Sequence, residues 1–153
     1  MKKRRLFVLA FLLVSNSLLY AGAVKNAFAA LSVYDYFKAR TLFTKAIKHD
    51  SVPCCYGLSV VLSRSDYHFC NVDTAYMFLL KAKDVFSRAT MKQKKNWRLA
   101  FGVDSSAILR QKDTIELKGF KIALSANSID GYNHFIKVYP TAWQVQNAID
   151  LRD

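Results

Sequence analysis

A run of basic side chains near the middle of the sequence offers the clearest chemistry for recognition. Its members are Arg88, Lys92, Lys94, Lys95 and Arg98, with Trp97 and Phe101 beside them. No acidic residue lies between Asp84 and Asp104, so nothing nearby in sequence offsets this charge. Clustered cations attract phosphates, acidic lipid head groups and acidic proteins. A solvated helix face has the same composition, and that alternative stays open.

Four tyrosines form a second set of candidate contact residues. They fall off the apolar stripes of the predicted helices, or near loops: Tyr34, Tyr67, Tyr76 and Tyr132. Because a tyrosine ring has both an apolar face and a polar hydroxyl, it suits a binding interface. We therefore predict that the basic run and these tyrosines contact a partner.

The three cysteines offer weaker chemistry. Cys54, Cys55 and Cys70 could bind a soft metal together with His68, but a vicinal pair rarely gives two ligands to one ion. In an oxidising compartment, Cys70 could form a disulfide with Cys54 or with Cys55. We favour a third interpretation, in which cysteines on a helix pack as small apolar side chains. The sequence predicts no metal and no cofactor.

Sequence signatures of catalysis are missing. Glu116 is the only glutamate, which leaves little room for glutamate-based acid–base chemistry. The segment Gly57-Leu58-Ser59 lacks the second glycine and the preceding strand of a nucleophile elbow. Glycine-rich phosphate loops and the HExxH zinc motif are also absent from the sequence. We predict that the protein is not an enzyme.

The elements that position these residues are predicted to be helices. The chain of 153 residues is 52% hydrophobic and 22% charged, and it has only five glycines and two prolines. So few turn residues disfavour a strand-and-turn fold. Predicted helix starts, each at a capping residue or a proline, are Ser32 to Asp35, Pro53, Asn71, Asp104, Asp113 or Thr114, Ser128 and Pro140. The helix from Asp104 is expected to end near Leu109, and the next near Ala126.

An internal repeat organises these helices. A shift of 36 residues pairs Ala39 with Ala75, Leu42 with Phe78, Phe43 with Leu79, Lys45 with Lys81 and Ala46 with Ala82. A weaker third copy begins near Ser128, where Gly131, Phe135 and Val138 take the corresponding places. Small residues let two helices approach closely, and large ones fill the groove between them.

On these residues the chain resembles the tetratricopeptide-repeat superfamily, and its C-terminal stretch from Phe135 to Pro140 resembles repeats of bacterial envelope proteins. The resemblance implies an all-α fold of antiparallel helical hairpins, stacked as a short right-handed solenoid. The expected repeat units lie near residues 24–50, 53–89 and 128–153 of a domain spanning 24–153. Residues 90–127 are expected to form an irregular helical segment. A generic helical bundle is the alternative.

The N-terminus predicts export. Lys2, Lys3, Arg4 and Arg5 precede an apolar run over residues 6–14, and Ala21 and Ala23 form a small-residue cleavage site. This is the layout of a signal peptide over residues 1–23. An uncleaved inner-membrane anchor through residues 6–20 is the alternative. The predicted location is the periplasm or the outer envelope of a bacterium.

These observations together predict a non-catalytic scaffold for protein–protein interaction in the bacterial cell envelope. Stacked hairpins present an extended concave surface, and the net charge of +12 attracts acidic partners. The expected partners are envelope proteins, and nucleic acid is not expected outside the cytoplasm. The alternative is a basic helical module that associates with an anionic membrane or lipopolysaccharide surface.

Overall fold

The computed structural model describes residues 22–153, which form eight helices and no strand. Residues 22–32 are helical (α1). The others are α2 (Tyr36–Ala46), α3 (Ser51–Leu62), α4 (Val72–Arg88), α5 (Met91–Phe101), α6 (Ser105–Ala126), α7 (Ile129–Val138) and α8 (Val145–Arg152). The predicted all-α class is confirmed. The charged and apolar segments that predict export fall mostly in residues 1–21, outside the described part of the chain.

Side-chain caps set most of the helix starts. The Asn71 carboxamide accepts a hydrogen bond from the Thr74 N–H at 2.8 Å, and the Ser128 hydroxyl accepts one from Gly131. Both caps are where the sequence predicts them, and each satisfies an N–H group that has no partner within its helix. At α2 the cap is Asp35 alone, because Ser32 still belongs to α1 and its hydroxyl donates to the Ala29 carbonyl.

Helix α3 is the centre of the molecule. It buries residues on every side, including Val52, Cys54, Leu58 and Val61, and it packs against α2 and α4. A helix that is apolar all round is stable only inside the protein. Its C-terminal carbonyls are satisfied from α6, where Gln111 donates to Ser59 and Lys118 donates to Ser63. These bonds tie the two halves of the chain together.

The 36-residue repeat has a matching pattern of burial. Ala39 and Ala75 are buried, as are Phe43 and Leu79, and Ala46 and Ala82. The Phe43 ring meets Phe28 of α1 edge-on, with ring centroids 4.9 Å apart.

Glycine makes the close packing of α2 on α3 possible. A Cβ atom at Gly57 would overlap the Phe43 ring, and a Cβ at Gly119 would lie 2.6 Å from the Tyr139 ring. The contact of Phe43 with α3 and the contact of Tyr139 with α6 therefore both depend on a glycine, which has no side chain.

Three sequence predictions are wrong within residues 90–145. Residues 105–126 form one helix of 22 residues, without a break at Asp113 or Thr114. Pro140 does not open the last helix, because residues 140–144 form turns and α8 begins at Val145. The segment 90–127 is not irregular, since it consists of α5 and α6.

The packing order follows the chain except at α5. Helices α2, α3 and α4 pack successively, α6, α7 and α8 do the same, and α4 joins the two groups through α6. Helix α5 has no comparably dense contact with any of the helices α2–α4 and α6–α8. Among residues 22–153, no helix has the length and apolar character needed to cross a bilayer.

Candidate binding groove

Helix α5, which carries most of the basic run, is a surface helix with well-defined ends. Thr90 and Gln93 form a reciprocal capping box at its start. Gly102 ends it with φ of 68°, a left-handed conformation that glycine adopts without strain. None of its eleven residues is buried. The charged side chains of α5 are therefore available at the surface.

The C-terminal half of α5 holds the helix in place. The Trp97 indole N–H donates to an Asp50 carboxylate oxygen at 2.9 Å, and the Phe101 ring stacks on Phe28 at 5.3 Å. Val103, which follows Gly102 at the end of the helix, is fully buried. Burial raises the pKa of Asp50, and the hydrogen bond from Trp97 lowers it in part.

A groove of about 710 Å³ runs between the end of α4, helix α5 and the start of α6. Four of its lining residues are cations of α5, and the others are two apolar residues and two residues at the start of α6. They are Lys92, Lys94, Lys95, Arg98, Phe86, Met91, Asp104 and Ser105. We call this the basic groove.

A side cavity of about 370 Å³ adjoins the basic groove. Phe86, Lys94 and Ser105 line both, and the side cavity adds the apolar side chains Ile108 and Leu109 together with Lys83 and Lys112. Lys94 lies at the junction of the two. Its ammonium donates to the Ser87 carbonyl at 3.2 Å and lies 5.3 Å from the centroid of the Phe86 ring.

The charge around the basic groove is largely uncompensated. Within residues 22–153, Lys92, Lys95 and Arg98 form no ion pair. The single acid in the lining is Asp104, which caps α6 by accepting a hydrogen bond from the Ala107 N–H. Lys112 differs, because it pairs with the buried Glu116 at 2.7 Å. Electropositive walls therefore surround an apolar floor.

Arg88 stands apart from the other predicted basic residues. It forms an exposed ion pair with Asp84 one turn earlier on α4 and does not line the groove. An exposed pair of this kind contributes little to stability. The structure thus brings together four of the five cations of the basic run.

Three of the four predicted contact tyrosines are buried, so these three are not available at the surface to contact a partner. Tyr76 donates to Glu116 at 3.0 Å, Tyr132 donates to Asn127 at 3.2 Å, and the Tyr67 ring packs against Tyr36. A buried tyrosine is favourable when its hydroxyl finds a partner, as in the first two cases. Tyr34 alone is exposed, in a left-handed conformation with φ of 62°.

The cysteines are free thiols. Cys54 and Cys55 are buried in α3, as expected for small apolar side chains, whereas Cys70 is exposed in a loop. Burial raises the pKa of Cys54 to about 12, so this thiol stays protonated at neutral pH. No group of three potential metal ligands occurs among residues 22–153.

A third cavity, of about 330 Å³, lies between α4, α6 and α7. There the Asp73 carboxylate accepts a hydrogen bond from the Tyr139 hydroxyl at 2.6 Å and lies 2.8 Å from the His134 ring. Burial, followed by this hydrogen bond, raises the pKa of Tyr139. These contacts join α4 to the C-terminal helices.

Sequence reasoning missed the apolar part of the groove. Phe86 lies on the apolar stripe of α4, a pattern that predicts a core position, yet it is half-buried and lines both cavities. Met91 and Leu109 are exposed beside it. The available signal was the presence of two apolar residues, Phe86 and Met91, near the N-terminal end of the charged run. Comparison of the chain with protein families, with curated proteins and with solved structures finds no match.

Proposed function

We propose that this protein is a non-catalytic scaffold that binds an acidic protein partner at the basic groove. The observation that carries the proposal is helix α5, which buries none of its residues and has three cations without an ion pair beside an apolar floor. Solvent-facing charge alone would not need a groove with an apolar floor. An interface combines an apolar centre with a polar rim, which is the arrangement here.

The proposal also covers the fold family of the protein and its location in the cell. Matching burial at positions 36 residues apart supports a tetratricopeptide-like repeat, in which stacked hairpins serve as a recognition surface. The basic and apolar N-terminal sequence supports export to the bacterial envelope. N-terminal sequencing of the exported protein tests this point: we expect a start near Val24, and an intact Met1 would contradict cleavage.

Affinity capture with matched variants tests the binding function. The groove variant carries Lys92→Gln, Lys94→Gln and Lys95→Gln. The control carries Lys38→Gln, Lys121→Gln and Lys137→Gln, which remove the same charge outside the groove. In detergent-solubilised envelope extract, we expect the wild type and the control to retain one protein partner and the groove variant to lose most of it.

The salt dependence sharpens the same experiment. Exposed charges are screened at high ionic strength, so the difference between the groove variant and the control should be largest at low salt. Equal capture by the two variants at every salt concentration would mean that the basic run is only a solvated face, and the proposal would fail.

A second candidate function is association with an anionic membrane surface. It is favoured by two apolar side chains of α5 that are exposed among its cations, Met91 at 80% and Leu99 at 70%. Apolar side chains flanked by Lys and Arg are typical of helices that lie in a membrane interface. Co-sedimentation with phosphatidylglycerol vesicles, lost in salt and in the Leu99→Ser variant, would favour this function if no protein partner is captured.

A further inference from the structure

We infer that the partner's binding element is an acidic amphipathic helix that lies along α5, with its apolar face in the basic groove. This inference rests on the proposed function and specifies the chemistry of the partner. It follows from three features of the groove: the row of cations on α5, the apolar floor, and walls made only of helices.

The cations are spaced to match a helix. Lys92, Lys95 and Arg98 follow one another at intervals of three residues, which places them along one inclined row of α5. From Lys92 to Arg98, α5 rises by about 9 Å. Carboxylates on successive turns of a neighbouring helix can therefore face the three cations. Lys94 supplies a fourth cation, whose ammonium is already held above the Phe86 ring.

The floor gives the partner an apolar anchor site. Phe86 lines both the groove and its side cavity, and Ile108 and Leu109 line the side cavity. Leu109 is more than half exposed, although a leucine on α6 would be more stable if covered. A partner with carboxylates alone would leave this surface in contact with water, so the complementary ligand has apolar side chains beside its acidic ones.

The walls favour a helix over an extended peptide. They belong to α4, α5 and α6, in which the backbone groups are already paired along each helix, so they offer no sheet edge for a partner strand. A proline-rich peptide needs a groove lined by several aromatic rings. Here the lining holds one, Phe86. A helix satisfies its own backbone and needs only side-chain contacts from the groove.

The test uses two synthetic peptides of about 14 residues, or four helical turns. In the first, leucines occupy one helical face and glutamates the adjoining flank. The second has the same composition with the two residue types permuted, so that no apolar face forms. Binding of each peptide to the full chain of 153 residues is measured by fluorescence anisotropy. We expect the first peptide to bind and the permuted peptide to bind at least about tenfold more weakly.

Protein variants locate the site. We expect Lys92→Gln with Lys95→Gln to weaken binding about threefold to tenfold at low salt. Leu109→Asp should weaken binding by a similar factor or more, because it places a carboxylate on the apolar floor. Leu124→Asp makes the same change at an exposed leucine at the far end of α6 and should leave affinity unchanged. Circular dichroism checks that each variant is folded.

The outcomes separate this inference from the function on which it rests. Equal affinity for the two peptides, or equal effects of Leu109→Asp and Leu124→Asp, would overturn the helix-in-groove inference. Binding to anionic vesicles but to neither peptide would overturn it as well. If protein capture still depends on the groove lysines in those cases, the proposed function stands. If capture does not depend on them, the proposed function fails independently.

Discussion

Helices α3 and α5 are almost equal in length, and each precedes a longer helix, yet they have opposite roles. Helix α3 buries nine of its twelve residues, whereas α5 buries none of its eleven. Helix α3 contains no charged side chain and α5 contains four, Lys92, Lys94, Lys95 and Arg98. The comparison teaches that α3 stabilises the fold, whereas α5 is held at the surface by contacts at its C-terminal end. The charges of α5 are therefore available for binding.

The largest expected effect tests the packing around α3. Phe43→Ala should lower the free energy of unfolding by about 3–5 kcal/mol, the usual range for a buried phenylalanine. The ring is fully buried, lies over Gly57 and contacts Phe28, so its removal leaves a cavity that three helices line. Urea denaturation measures the change. A loss below about 1 kcal/mol would contradict the central position of this contact.

A second prediction concerns the close approach of α2 to α3. Gly57→Ala should destabilise the protein by about 1–3 kcal/mol, because the new methyl group overlaps the Phe43 ring. Helix propensity acts in the opposite direction, since alanine in a helix is favoured over glycine by about 1 kcal/mol. Gly22→Ala is the control and is made, like Gly57→Ala, in the uncleaved chain, because the predicted mature protein starts near Val24. Nothing lies within 4 Å of the added atom, so this change should not destabilise.

A double-mutant cycle makes this prediction specific. In a Phe43→Leu background the smaller side chain leaves room at Gly57, so the cost of Gly57→Ala should fall clearly. An unchanged cost would show that the overlap is not the cause.

The third prediction tests how α5 is held. Trp97→Phe removes the indole donor to Asp50 and should cost about 1 kcal/mol at pH 7. Without that donor, the pKa of Asp50, already raised by burial, rises further. A carboxyl whose folded pKa lies above its unfolded value reduces stability when ionised, so the cost should shrink as the pH falls through the folded pKa of Asp50.

Amide hydrogen exchange provides the structural readout for Trp97→Phe. Exchange should accelerate in α5 more than in α3, because α5 has few other anchors. Equal acceleration in both helices would mean that α5 does not open separately.

Much of the fold could be predicted from the sequence because it depends on local signals. Apolar periodicity and capping residues such as Asn71 and Ser128 act within a few residues of the chain, and they predict the starts of α4 and α7 correctly. The break expected at Asp113 is wrong for a related reason. An aspartate inside a helix resembles a cap in sequence, while the helix continues because α6 packs along both α4 and α7.

The candidate site was predictable only in part. The cations of α5 lie within a stretch of seven residues, and charge does not need a distant partner to be recognised. Tyr76 was misplaced because its partner is distant: its hydroxyl bonds to Glu116, forty residues further along the chain. Phe86 was missed because an apolar residue on a helical stripe has the same pattern whether it lines a core or a groove.

The smallest expected effect is the most direct test of the comparison, because it makes one substitution in both helices. Leu99→Ala in α5 should change the free energy of unfolding by less than about 0.5 kcal/mol, since the side chain is 70% exposed and alanine is a good helix former. Leu58→Ala in α3 should cost about 2–5 kcal/mol, because Leu58 is 2% exposed in the core. Both are measured by urea denaturation of otherwise identical proteins. A cost for Leu99→Ala approaching that of Leu58→Ala would place α5 in the core, and the groove beside it would then be unavailable to a partner.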